Sequence, residues 1–161
     1  YGRIINTASP SGIYGNIGQA NYGAAKAGIA AFTVITAMEL AKYNVTVNAI
    51  APAALSRMTE NLVGMDSLTD EQKEKMSPRW ISIIVTWLCS EEAKNVTGRV
   101  FDVKGKKLGI AEQWHLGPVL DQPEDPTDLQ PIVAELMANA ALNPDMGGNP
   151  MGGTGRPNHE I

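Results

Sequence analysis

Two short runs of branched apolar residues flank one long helix-forming segment, and this order constrains the fold more than any other feature of the 161-residue chain. Residues 3–8 and 45–50 are typical of buried strands, and Pro52 is expected to halt the second run. Between them, residues 20–42 contain strong helix formers and no proline. A strand, a helix and a strand in this order predict a βαβ unit with a right-handed crossover, and hence a parallel sheet.

The remaining sequence predicts further elements of one α/β unit and a separate extension. In chain order, we predict a loop with a short helix at residues 55–68, a polar helix at 69–76, an apolar helix with a core face at 80–88, a strand at 98–103, a basic turn at 104–107, an extended piece at 108–114 and a helix at 127–142. The polar helix begins with a capping signal, Thr69 followed by Gln72. The chain thus divides into an α/β unit at 1–115, a connector with a helical extension at 116–142 and a flexible tail rich in glycine and proline at 143–161.

The charge balance and the cysteine count exclude several classes of protein. Lysine and arginine number 13 against 17 acidic residues, so the net charge of −4 provides no basic field for nucleic acid or an anionic membrane. The longest apolar run, residues 80–89, has about ten residues, whereas a helix needs about 20 to span a bilayer. Cys89 is the only cysteine and is expected in the core, while His115 and His159 lack partners at ligand spacing. We therefore predict no disulfide, no metal site and a reducing, intracellular compartment.

Tyr22 and Lys26 are the first candidates for chemistry. They lie four residues apart near the start of the long predicted helix, so their side chains share one face. A tyrosine and a lysine at this spacing are common by chance, so the context must decide. Ser9 follows the first predicted strand, and the glycine-rich loop after it, expected to lack regular structure, would fold the serine hydroxyl over the helix start. Tyr14 in this loop is either a second ring of a pocket or a cover for the helix start.

Three segments carry a family resemblance: residues 2–9 (Gly-Arg-Ile-Ile-Asn-Thr-Ala-Ser), 15–28 (Gly-Asn-Ile-Gly-Gln-Ala-Asn-Tyr-Gly-Ala-Ala-Lys-Ala-Gly) and 45–52 (Val-Thr-Val-Asn-Ala-Ile-Ala-Pro). Over residues 2–115 the chain resembles the C-terminal half of the short-chain dehydrogenase/reductase family. The resemblance implies an α/β fold, the C-terminal half of a doubly wound parallel sheet of Rossmann type, with a short helical extension. Residues 11–16, 56–59 and 87–89 point, within the family, to the (3R)-hydroxyacyl-CoA dehydrogenases of type 2 multifunctional enzymes and their bacterial relatives.

The resemblance also implies a role for each candidate residue. Tyr22 would be the general acid/base that exchanges a proton with the substrate oxygen, and Ser9 would donate a hydrogen bond to that oxygen. Lys26 would favour the ionised form of Tyr22 and bind the ribose of the nicotinamide. The implied cofactor-binding set is Tyr22, Lys26, Pro52, Ala53, Ala54 and Leu55. Ala53 follows Pro52 where the family usually has glycine, so no single backbone atom is assigned in this segment.

By this resemblance we expect an NAD(P)-dependent oxidoreductase that transfers a hydride between the cofactor and a secondary alcohol or ketone. A 3-hydroxyacyl-CoA is the first choice of substrate, with NAD favoured over NADP. Two alternatives stay open: a steroid alcohol dehydrogenase or 3-oxoacyl thioester reductase with the same site, and a non-catalytic oligomerisation module. The family commonly associates through the helix equivalent to residues 20–42. We therefore expect a homo-oligomer, in the cytoplasm or, in a eukaryote, in the peroxisome.

The beginning of the chain adds a further expectation. Tyr1 leads directly into a strand, and the sequence shows neither a glycine-rich turn for the pyrophosphate nor a residue that selects NAD or NADP. In the family these features precede the segments found here. We therefore expect a piece of a longer protein that lacks catalytic competence on its own.

Overall fold

A four-stranded sheet covered by helices is the central feature of the part of the chain that the structure describes, residues 1–56, 68–112 and 114–148. In this computed structural model the first compact unit is Tyr1–Glu112, and a second unit follows it. In chain order, the elements are β1 (Gly2–Thr7), α1 (Pro10–Ile13), α2 (Ala20–Leu40), a 3-10 turn (Ala41–Tyr43), β2 (Val45–Ala53), α3 (Asp70–Lys75), α4 (Arg79–Cys89), β3 (Val100–Lys104), β4 (Lys107–Ala111), a second 3-10 turn (Pro126–Asp128) and α5 (Leu129–Asn139).

The strand order β1-β2-β3-β4 confirms the parallel sheet expected from the sequence. β1 pairs with β2 and β2 pairs with β3 in parallel, while β4 returns antiparallel to β3. α2 connects β1 to β2, so these three elements form the predicted βαβ unit. The carboxyl ends of β1, β2 and β3 therefore lie at one edge of the sheet, which we call the carboxyl edge.

Two apolar clusters, one on each face of the sheet, hold the helices in place. The first cluster contains Ile50, Ile84, Leu88, Ala93, Phe101 and Val103, and the second contains Ala8, Ala49, Ala51, Val100 and Ala111. α4 contributes Ile84 and Leu88 to the first cluster, whereas Ile13 of α1 and Ile29 of α2 pack against the second. Helices on both faces of a mostly parallel sheet confirm the doubly wound α/β fold class.

Pro52 does not end the second strand, contrary to the expectation from the sequence. β2 continues to Ala53, with Pro52 opposite Val103 of β3. The pairs between β1 and β2 end at Ile50, whose carbonyl oxygen accepts from the N–H of Ala8 at 2.8 Å. Because hydrogen-bonding direction alternates along a strand, Pro52 faces the β1 side just beyond the last pair. A proline is tolerated there, since no ladder hydrogen bond requires its missing N–H.

The loop after the first strand contains a short helix that was not expected. α1 occupies residues 10–13 because Ser9 caps it, accepting from the N–H of Ser11 at 3.2 Å. Pro10 stands at the first helical position, where its missing N–H costs nothing. The chain then turns into α2 through Gly15 and Gly18, whose φ angles of 86° and 80° suit glycine.

The predicted core face of α4 is narrower than the sequence pattern suggests, and the expected burial of Cys89 is wrong. Ile84 and Leu88 are buried, but Ile83 and Trp87 are 59% and 38% exposed, and Cys89 is exposed. A helix that packs one stripe against a sheet buries residues at i and i+4, and the neighbouring positions remain on its flank. α3 begins with the predicted capping box, in which Thr69 and Gln72 each accept from the other's backbone N–H.

The expectation that residues 80–89 form the longest apolar run is wrong: within the described residues, α2 and its 3-10 turn, Ala20–Tyr43, are long and apolar enough to cross a membrane by length and composition. In this fold the helix lies against the sheet. Its buried residues are Thr33 and Ala37, and Asn6 of β1 donates to the hydroxyl oxygen of Thr33 at 2.9 Å. A helix tied to a strand by a side-chain hydrogen bond is one layer of the α/β fold.

The second unit contains α5 after its 3-10 turn, where the sequence predicts a helix at 127–142. Asp125 caps the turn by accepting from the N–H of Thr127 at 2.8 Å, and this hydrogen bond lowers the pKa of the Asp125 carboxyl. Most of the predicted loop at 55–68 and of the predicted tail at 143–161 lies outside the described residues. The predicted division of the chain into segments 1–115, 116–142 and 143–161 stays a prediction.

Candidate active site

Ser9 lies just beyond β1, at the carboxyl edge of the sheet. The residue is 8% exposed, and its side chain caps α1. A hydroxyl has two acceptor lone pairs and one donor proton, and the cap to Ser11 uses one lone pair. Ser9 therefore keeps its proton for donation to a ligand oxygen.

Tyr22 and Lys26 lie in the first two turns of α2 and share one face, as their spacing predicts. The ammonium nitrogen of Lys26 is 5.7 Å from the ring centroid of Tyr22. The same nitrogen donates to the carbonyl oxygen of Thr7, the last residue of β1, at 2.9 Å. Tyr22 is 44% exposed. The start of α2 is thus tied to the carboxyl end of the strand that leads into Ser9, and the structure places all three predicted residues at this point.

The segment predicted to bind the cofactor, residues 52–55, lies at the carboxyl end of β2, beside β1. All four residues are partly buried. Pro52 has no N–H, and the N–H of Leu55 donates to the carbonyl oxygen of Met76 at 2.8 Å. Pro52 therefore offers no backbone donor to a ligand, and the backbone donor of Leu55 is already used within the protein. Within the described ranges, no group of three or more His, Cys, Asp or Glu side chains could hold a metal ion.

α1 packs directly on the backbone of α2 beside Lys26. A Cβ placed on Gly12 would lie 2.6 Å from the nitrogen of Ala27 and 2.7 Å from the Cβ of Lys26. A Cβ on Gly23 of α2 would lie 3.2 Å from the carbonyl oxygen of Ser11. Only glycine at position 12 permits this approach, which sets the separation between the helix that Ser9 caps and the helix that carries Lys26.

We expect Gly12→Ala to lower the free energy of unfolding by about 1–3 kcal/mol, because the new methyl group would overlap the backbone of α2. Gly28→Ala is the matched control, since a Cβ at Gly28 meets nothing within 4 Å. That control should leave the protein unchanged or up to about 1 kcal/mol more stable, because alanine is the better helix former. Urea denaturation of both variants measures the difference. Equal stability of the two variants would contradict the close approach.

The site contains one hydrogen bond that the sequence does not predict. The phenol of Tyr14 donates to Oδ2 of Asp102 in β3 at 2.9 Å. Burial and then the bond to Asp102 raise the pKa of Tyr14 to about 12. Of the two predicted roles for Tyr14, the described geometry favours the covering one, since the ring packs against the second apolar cluster. The sequence signal for this bond is Asp102 itself, a single acidic residue between two buried residues of a strand, Phe101 and Val103.

Comparison with known proteins relates the chain to one family. Residues 1–67 match the family model described as short chain dehydrogenase. The peroxisomal hydratase-dehydrogenase-epimerase of Neurospora crassa is 34% identical over 97% of this chain and 19% of its own length. A hydroxyacyl-CoA dehydrogenase of Mycobacterium tuberculosis is 35% identical over 86% of this chain and 45% of its own length. The crystal structure of a short chain dehydrogenase from Mycobacterium avium matches with a TM-score of 0.74 and 44% identity, over 89% of this chain and 46% of that one.

The fold and the site together define an α/β protein with a serine, a tyrosine and a lysine gathered where the first parallel strand ends. The chain belongs to the short-chain dehydrogenase/reductase family. It spans less than half the length of the relatives described above.

Proposed function

We propose that this protein is an NAD(P)-dependent oxidoreductase that interconverts a secondary alcohol and a ketone. The observation that carries the proposal is the placement of Ser9, Tyr22 and Lys26 at the carboxyl end of β1, with Lys26 bonded to Thr7. In open α/β sheets, ligands bind at this edge. A non-catalytic oligomerisation module is the alternative, and the assay described below distinguishes the two.

The residues present fit a nicotinamide cofactor at the carboxyl edge. An ammonium group has three N–H donors, and the bond to Thr7 uses one, so Lys26 retains donor capacity for ribose hydroxyls. Ala53 and Ala54 lie at the end of the neighbouring strand and would border the nicotinamide ring. When bound, a nicotinamide would supply the redox step by accepting or delivering the hydride. We propose NAD rather than NADP on the family resemblance.

The chain's own residues would handle the proton. During oxidation of the alcohol, the Tyr22 oxygen would accept the hydroxyl proton, and during reduction of the ketone it would return that proton to the same oxygen. The Ser9 hydroxyl would donate a hydrogen bond to the substrate oxygen and hold it in line with Tyr22. The positive charge of Lys26 would stabilise negative charge on the Tyr22 oxygen.

We propose a (3R)-hydroxyacyl-CoA as the substrate. The names of the Neurospora crassa and Mycobacterium tuberculosis relatives, a hydratase-dehydrogenase-epimerase and a hydroxyacyl-CoA dehydrogenase, support this class. The same names support fatty-acid metabolism, and the first supports a peroxisomal location in a eukaryote. A bacterial protein of this kind would act in the cytoplasm.

We expect kcat/KM for a (3R)-hydroxyacyl-CoA to exceed that for a steroid alcohol by about tenfold or more, because transition-state contacts to the preferred substrate set this ratio. Spectrophotometry of NADH formation by the full-length protein measures both values. The (3S) enantiomer is the control for stereochemistry, and a 3-oxoacyl thioester of acyl carrier protein with NADPH tests the reductase alternative. A preference for either alternative would overturn the substrate assignment, and no turnover of any alcohol would favour the oligomerisation module.

We also propose self-association through α2. Phe32, Ile35 and Met38 are 57%, 55% and 76% exposed on this helix. Large apolar side chains exposed on one helix are typical of a surface that a partner covers. A second copy of the same helix is the partner that the family resemblance favours.

A further inference from the structure

α1 connects Ser9 to Tyr14, whose side chain is anchored on the sheet. The helix is a single turn, with Ser9 as its N-terminal cap and Tyr14 as its C-terminal cap. The N–H of Ile13 donates to the carbonyl oxygen of Ser9 at 3.2 Å, and the N–H of Tyr14 donates to that of Pro10 at 2.8 Å. Because one turn of helix joins both ends, a displacement of Tyr14 is transmitted to Ser9.

The anchor is the hydrogen bond from Tyr14 to Asp102, two residues that lie 88 positions apart in the sequence. Asp102 stands on β3, paired with Ala51 of β2 and Gly109 of β4, so its backbone is held on both sides. A hydrogen bond to a carboxylate is stronger than a bond between neutral groups. With a pKa of about 12, the Tyr14 phenol keeps its proton and donates to Asp102 throughout the neutral range.

The contacts of α1 divide into an anchor on the sheet and a contact on the second helix. Tyr14 holds α1 on the sheet through β3, and Gly12 allows α1 to meet α2 at Lys26. The bond from Lys26 to Thr7 connects that same part of α2 to β1. Together with the pairing of β1, β2 and β3, the three contacts connect α1, α2 and the sheet to one another. We therefore expect the loss of one contact to let Ser9 move relative to Tyr22 and Lys26.

We propose that Tyr14 and Asp102 are positioning residues, whose hydrogen bond holds α1 on the sheet and thereby aligns the Ser9 hydroxyl with Tyr22 and Lys26. This rests on the proposed function of the site. In this assignment neither residue touches the substrate oxygen. The pair acts through Ser9, and its loss impairs the orientation of the substrate rather than the binding of the cofactor.

The test begins with Tyr14→Phe, which removes the hydroxyl and keeps the ring. We expect kcat for the preferred alcohol to fall about tenfold, the effect of losing one hydrogen bond to a charged group, while KM for the nicotinamide stays within about twofold. Tyr43→Phe is the matched control, because Tyr43 is 63% exposed on the 3-10 turn after α2 and should leave both constants unchanged.

Two variants of Asp102 separate positioning from folding. Asp102→Ala should reproduce the loss of Tyr14→Phe, and the double variant should be no worse than either single variant, because both remove the same interaction. Asp102→Asn keeps an oxygen acceptor of the same shape and should retain most of the turnover. Loss of thermal stability in Tyr14→Phe with unchanged kcat, or additive losses in the double variant, would overturn the proposal.

Hydrogen exchange gives a second measurement that needs no activity. Tyr14→Phe should raise the exchange rates of the backbone amides at positions 13 and 14 several-fold, because the anchor stabilises the single turn against local opening. Tyr43→Phe should leave these rates unchanged. Unchanged protection would refute the anchor whether or not the protein is active. If the wild-type protein oxidises no alcohol while the exchange result holds, the proposed function is wrong and the anchor stands as a structural contact.

Discussion

We expect Tyr22→Phe to reduce the turnover of the full-length protein by roughly 10²- to 10⁴-fold, the range typical of a lost general acid or base. The substitution keeps the aromatic ring beside Lys26 and removes only the oxygen that can exchange a proton. Tyr22 is 44% exposed, so the change should leave the fold intact. The substrate oxygen would then have no proton partner in the step that forms or breaks the carbonyl group.

Steady-state kinetics with the preferred alcohol measures this loss, with kcat falling far more than KM changes. Tyr43→Phe is again the control, since it makes the same chemical change on an exposed tyrosine that has a lysine, Lys42, 5.0 Å from its ring centroid. Circular dichroism and the melting temperature should be the same for both variants. Turnover near the wild-type value in Tyr22→Phe would remove the acid/base assignment, whatever the substrate proves to be.

The βαβ unit could be predicted from the sequence because its signals are local. Branched runs marked β1 and β2, and the absence of proline over residues 20–42 marked α2. The capping box of Thr69 and Gln72 marked the start of α3. Once a parallel βαβ unit is expected, a residue after the first strand and residues in the first turns of the helix must meet at the carboxyl edge. The proximity of Ser9, Tyr22 and Lys26 follows from topology together with spacing, whereas their roles are implied by the family resemblance.

The contacts that hold α1 could not be predicted, because they join residues that are distant in the sequence or depend on backbone approach. Tyr14 and Asp102 are 88 residues apart, and the sequence around either residue does not predict that the two side chains meet. Gly12 reads as one of several loop glycines until its distance to α2 is known. The rule for central strands predicts that Pro52 ends β2, but β2 has no β1 partner beyond Ile50. In each case the deciding fact is which strand or helix lies alongside.

The second large effect is expected from Lys26→Met, which keeps an unbranched apolar stem and removes the ammonium. The change removes the donor to Thr7 and the positive charge beside Tyr22. In the proposed complex the same ammonium donates to the cofactor ribose, and a hydrogen bond to a charged group contributes about 1.5–3 kcal/mol, so we expect kcat/KM to fall by roughly ten- to a hundredfold. KM for the nicotinamide should rise as well, because the proposed ribose contact is lost.

Lys42→Met is the control for Lys26→Met, because Lys42 also lies beside a tyrosine ring but at the end of α2 that is far in sequence from Ser9. It should leave kcat/KM unchanged. Lys26→Arg keeps the charge and a donor for Thr7 but presents a broader planar group, so it should recover part of kcat and less of the cofactor affinity. Because the bond from Lys26 to Thr7 also ties α2 to β1, the melting temperature must be measured for every variant. A fall in stability with normal kcat/KM would assign Lys26 to folding alone and leave Tyr22 without its proposed charge partner.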